Sequence, residues 1–139
     1  AALAVTPLLA APADQIRARI AGYRDLGEAF KAVNDSLRRG GLAPAEIVRL
    51  ADRIAVSGRA QYAWFPAGSA SARGVKTAAK PEIWARGTEF RAAQDRFAQQ
   101  AQAFRRVAAN GDPVALRSAA RLLGASCKSC HDTFRIASD

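Results

Sequence analysis

Apolar residues recur along this chain in alternating steps of three and four, the spacing of helices that each bury one stripe. Between Pro12 and Gly40 the stripe is Ile16, Ile20, Tyr23, Gly27, Phe30, Asn34 and Leu37, widened by Leu26 and Val33. Asp14 is placed to cap its start, and Gly40-Gly41 supplies the left-handed residue that commonly closes a helix. A second stripe, Ile47, Leu50, Ile54 and Gly58, begins at Pro44 and fails near Trp64-Phe65-Pro66. Residues 66–79, with Gly, Ser and Pro and no periodicity, predict a loop. A third helix is expected from Pro81 to Asn110 with Ile83, Gly87, Phe90, Phe97, Ala101, Phe104 and Ala108 on one face. The fourth opens with Asp112 as cap and Pro113 in its first turn, and carries Leu116, Ala120, Leu123, Cys127, Cys130 and Phe134 in the same rhythm. Four amphipathic helices, two short turns and one long connection predict an all-α fold, an antiparallel four-helix bundle spanning residues 14–139.

Composition agrees with helices. Half of the 139 residues are apolar, and β-branched and aromatic residues are too sparse for a sheet. A chain of this length buries enough surface to fold without disulfide staples. The formal net charge of +9 invites a nucleic-acid reading. The excess is spread over all four helical segments, however, and no nucleic-acid-binding motif accompanies it, so no nucleic-acid partner is expected.

No apolar run reaches the ~20 residues of a membrane-spanning helix, so no membrane span is expected. Residues 1–13, AALAVTPLLAAPA, are apolar and uncharged and end in Ala11-Pro12-Ala13. They read either as the remnant of a secretory signal or as an N-terminal arm packed on the bundle. Both suit an exported, periplasmic protein.

The chemistry lies in SCKSCHD, residues 126–132, which hold both cysteines and the one histidine of the chain. At about 100° per helical residue, taking Cys127 as zero, Cys130 falls near about −60°, Phe134 about −20°, His131 about +40° and Arg135 about +80°. All five share one face, directed into the bundle. Two thiols and an imidazole so placed can hold a planar macrocycle by two thioethers while the imidazole reaches its metal, the arrangement of haem c. A buried Cys pair beside a core histidine leaves the shared face unexplained. Structural zinc wants four ligands where three soft ones exist, and a thioredoxin-like pair wants a preceding strand. With one His and no Met, the usual sixth ligands of electron-transfer haems are missing. A five-coordinate, high-spin iron, open to a small molecule, is expected.

A C-terminal C-x-x-C-H on the last of four helices resembles cytochrome c′, the high-spin class II c-type cytochromes. GASCKSCHDTFR, residues 124–135, is close to that family's haem segment, and KPEIW, residues 80–84, looks like the start of its third helix. The resemblance implies an arginine near the haem at Arg19, a residue capping the distal iron face at Tyr23, a core aromatic at Phe30 and an arginine flanking the proximal histidine at Arg135. Tyr23 is then a steric lid and not an iron ligand, because a neutral phenol binds iron poorly. Arg19 reads as a propionate partner or a surface charge. Arg135 reads as a partner of the imidazole, a propionate or a proximal ligand, or as a solvated arginine at a helix C-terminus. Phe134 completes the set of cofactor-binding residues with Cys127, Cys130 and His131, the last also the metal ligand.

The functions implied are binding of NO, with CO as a weaker ligand and O2 excluded by an apolar distal side whose donor is Tyr23, and alternatively electron transfer with gas binding incidental. The redox partner is unknown. Peroxidase-like catalysis lacks a distal acid–base pair, so no enzyme activity is expected. The resemblance also implies a homodimer through the first two helices, weakened when a gas moves Tyr23.

Overall fold

The structure, a computed structural model, describes residues 10–40 and 43–137. Its helices are α1 (Pro12–Arg39), α2 (Pro44–Ala60), the short α3 (Glu82–Ala85), α4 (Gly87–Asn110) and α5 (Pro113–Phe134). A turn of 3₁₀ helix, Gln61–Ala63, extends α2. The four long helices form the bundle. Residues 1–9 of the expected arm or signal remnant lie outside the described residues.

Proline starts three of the long helices and glycine ends two. Pro12, Pro44 and Pro113 occupy the first turns, where a missing N–H costs no hydrogen bond. Gly40 and Gly111 close α1 and α4 with φ of 70° and 72°. Asp112 caps α5, its carboxylate accepting from the Val114 N–H at 3.1 Å. The expected cap at Asp14 is corrected. The helix starts three residues earlier, with Ala11 as cap and Pro12 in the first turn, so Asp14 sits inside that turn and pairs with Arg17.

The main core contains Leu26, Val33, Ile47, Ile54, Phe97, Phe104, Leu116 and Leu123. Small residues bring α2 and α4 close: a Cβ built on Gly58 would stand 3.4 Å from the Ala98 Cα. α4 packs extensively on both α2 and α5, and α1 on α2, whereas α1 and α5 touch far less. The bundle is thus parted along one side.

The third helix departs from expectation. Arg86, with φ −119° and ψ 50°, separates α3 from α4, and Gly87 is exposed instead of sharing the buried face. Glycine weakens a helix by roughly 1 kcal/mol relative to alanine, and the break turns Ile83 and Trp84 inward against Phe65 and Phe134. The loop returns to the end of α5: the Lys80 N–H donates to the Phe134 carbonyl at 2.9 Å and the Ile136 N–H to the Ala78 carbonyl at 2.7 Å.

Candidate cofactor site

A cavity of about 600 Å³ fills the parting between α1 and α5. From α1 come Arg19, Ile20, Tyr23, Arg24, Leu26, Gly27 and Phe30; from α5 and its end come Leu123, Ser126, Cys127, Cys130, His131, Phe134 and Arg135. All eight site residues expected from the sequence therefore meet in one cavity. The α1 stripe now divides. Ile16, Leu26, Ala29 and Val33 are core, while Ile20, Tyr23, Gly27 and Phe30 face the cavity and are half-buried or exposed. An apolar face left against open space is matched to something that fills it.

α5 is unbroken to Phe134, which keeps Cys127, Cys130 and His131 on one wall. Arg135 has left the helix: it is extended, φ −116° and ψ 135°, its N–H donating to the His131 carbonyl at 3.1 Å and its backbone bridged to Ala79. It still lines the cavity, from a strand-like position instead of the helical one expected. Burial pushes both thiols up, Cys130 to about 11 with the neighbouring Cys127 adding to the effect. Burial, then the Arg135 charge, pulls His131 below its ordinary value against the opposing pull of Asp132, which favours the neutral imidazole that ligates metals.

Arg19 is not a surface charge. It is 2% exposed, and its guanidinium donates to the carbonyls of Trp64 at 3.3 Å and Ser69 at 3.0 Å, to the Ser69 hydroxyl at 3.1 Å and to the Thr77 hydroxyl at 3.2 Å. It also lies 5.0 Å from the Phe65 ring centroid and 5.6 Å from that of Trp84. Among the described residues no carboxylate is bonded to it, and burial lowers its pKa from the ordinary value. A buried guanidinium without a counter-anion, on the wall of a cavity, suits an anionic group on whatever the cavity holds.

Tyr23 packs edge-on against Trp64, ring centroids 4.9 Å apart, and tilts against Phe65 at 6.0 Å. Burial drives its phenol well above the usual 10, a shift larger than the lowering by Arg19, so the hydroxyl stays protonated. Gly22 makes room for this pairing, since a Cβ there would stand 2.4 Å from the Trp64 ring. Gln61 and Thr77 line the cavity beside Tyr23, which amends the expectation of a single polar group. The Gln61 amide N–H groups are committed to the carbonyls of Gly58 and Gln94.

Sequence periodicity missed Phe65, Ser69 and Thr77, which come from outside the long helices. Phe65 carried a weak signal, an aromatic pair at the point where the second stripe fails. Nothing local marks Ser69 or Thr77. The donor set also discriminates between cofactors: among the described residues no cluster of three His, Cys, Asp or Glu could hold a bare metal ion. Two thiols and one imidazole on an apolar wall instead fit a large prosthetic group attached through sulfur and ligated once.

Comparison with known proteins points the same way. Residues 14–135 match the family described as Cytochrome C′. The chain is 32% identical over 126 residues to a cytochrome c′ of Pararhodospirillum photometricum, covering 91% of this chain and 99% of that one. Among solved structures it is similar to a cytochrome c′ with a ligand-controlled dimer dissociation, with a TM-score of 0.88 and 29% identity over 94% of this chain and all of the other. It is also similar to the nitric oxide complex of a mutant cytochrome c′ from Alcaligenes xylosoxidans, with a TM-score of 0.84 and 25% identity over 94% of this chain and 100% of that chain.

Proposed function

The chain belongs to the cytochrome c′ family, and from that premise we propose that it is an exported, periplasmic haem protein that binds NO and CO at a five-coordinate iron and also passes electrons. Its cofactor is one haem c, joined through Cys127 and Cys130, so the free thiols described above stand for the sulfurs of two thioethers. When bound, the group supplies an iron that takes one protein ligand and one small molecule.

The residues divide the work by position. Neutral His131 would hold the metal from the α5 wall, with Arg135 lining the same cavity. Phe134, Phe90 and Phe65 form an edge-to-face chain, with centroids 5.1 Å and 4.7 Å apart, that keeps water from that end of the cavity. Arg19 offers its charge to a propionate while holding the loop. Tyr23 occupies the opposite wall as a protonated lid which an incoming gas must displace.

One observation carries the reading: among the described residues that line the cavity there is no second histidine, no methionine and no lysine. Resonance Raman and absorption spectra of the purified protein at neutral pH should show a high-spin five-coordinate iron. A low-spin six-coordinate spectrum would move the function to plain electron transfer. Replacing Cys127 and Cys130 by serine should release the haem to acid-acetone extraction, whereas the unaltered protein keeps it. A homodimer through α1 and α2 completes the proposal, supported by the dimer of the similar structure.

A further inference from the structure

Basic side chains outnumber acidic ones around the cavity lining. Arg24 and Arg135, both exposed, line the opening, and no carboxylate is among the described residues that line it. Lys76 adjoins the lining residue Thr77, Lys80 is tied through its backbone to Phe134, and Arg96, exposed on α4, adjoins the lining residue Phe97. Among the described residues these five make no ion pair; of the carboxylates that adjoin lining residues, Asp25 and Asp132 are paired with Arg53 and Lys128, and Glu28 and Glu82, both exposed, make no ion pair either, so unpaired basic side chains outnumber unpaired acidic ones five to two. Asp132, the carboxylate nearest the motif in sequence, is held by Lys128 at 2.7 Å. Beside Arg135 and bonded to the loop, Ile136 is 51% exposed.

We propose that this mouth is the docking surface of an acidic electron-transfer protein, which makes the redox partner of the proposed function an anionic one. The inference rests on that reading. An apolar centre rimmed by charge is the build of transient protein interfaces, where complementary charge sets the encounter rate and a small apolar contact sets the seat. Duplex nucleic acid suits it less, because Ile136 and Ala78 offer nothing to phosphate. A bilayer suits it less, because one exposed isoleucine is far short of an amphipathic face. The step is a one-electron transfer, lost by the donor's reduced centre and gained by ferric iron.

The test uses the haem-loaded protein, its covalent cofactor first verified by mass. Stopped-flow reduction would be driven by a reduced, acidic [2Fe–2S] ferredoxin and, separately, by cationic hexaammineruthenium(II). The ferredoxin rate should fall about tenfold as salt rises from about 20 to 200 mM, with little loss for the ruthenium reagent. The triple variant Lys76→Glu, Lys80→Glu, Arg96→Glu should slow the ferredoxin reaction about tenfold at low salt and quicken the ruthenium one. A control with the same charge change at the far end of the bundle, Arg39→Glu, Arg49→Glu, Arg117→Glu, should alter either rate less than about threefold. Equal slowing by both triple variants would overturn the proposal, since net charge would then be the cause. So would loss of binding to a duplex oligonucleotide or to phosphatidylglycerol vesicles in the mouth variant with an unchanged ferredoxin rate. Absence of covalent haem would instead sink the function it rests on.

Discussion

Tyr23 concentrates the functional argument in one side chain. Its ring is held edge-on by Trp64 against Gly22, so it cannot move without disturbing that pair. Removing the ring should therefore favour ligands: Tyr23→Ala should raise the CO affinity of the reduced protein tenfold or more, about 1.4 kcal/mol, read by gas titration. An unchanged affinity would deny the lid. The phenol also predicts a pH effect. Its folded-state pKa lies above the ordinary 10 because of burial. Between pH 10 and that higher value the unfolded chain has lost the proton and the folded one keeps it, so stability falls as pH rises. Urea unfolding from pH 9 to 11 should show this decline, and Tyr23→Phe should flatten it.

The elements that sequence periodicity predicts are those whose causes are local. Stripe spacing, the prolines at Pro12, Pro44 and Pro113, the glycines at Gly40 and Gly111 and the cap at Asp112 all act within a turn of the residue concerned. The C-x-x-C-H face is local too, and the eight residues predicted around it share one cavity. The break at Arg86 and the course of residues 66–79 were not legible, because each depends on contacts far along the chain. Arg19 shows this most plainly: its partners Trp64, Ser69 and Thr77 lie 45 to 58 residues away. Arg19→Leu would leave the Trp64 and Ser69 carbonyls without its donors, while the Thr77 hydroxyl would keep only the Ala79 N–H. It should cost about 3 kcal/mol in urea unfolding and expose the Lys80 and Ile136 amides, which pin the loop to α5, to faster hydrogen exchange. A loss below about 1 kcal/mol would reduce Arg19 to a spectator.

For the whole molecule, self-association must contend with charge. Each copy carries +9, so two copies repel, and salt that screens this repulsion should tighten the proposed dimer. Away from Ile136 at the cavity mouth, the large exposed apolar residues among those described are Val56 on α2 at 54% and Val114 and Leu122 on α5 at 73% and 56%. The Asp25–Arg53 pair joins α1 to α2 on their outer side, near Val56 in sequence, and makes that surface a mixed patch that two copies related by symmetry can share. The proposed dimer through α1 and α2 would bury Val56 and leave Leu122 in water. Val56→Glu should then weaken association at least tenfold in sedimentation equilibrium, with Leu122→Glu close to the unaltered protein. The opposite ranking would assign the interface to α5. Because α1 carries Tyr23 on its cavity side, saturating the reduced protein with CO should shift the same equilibrium toward monomer, and this shift should vanish in Tyr23→Ala, where no ring is left to push the helix.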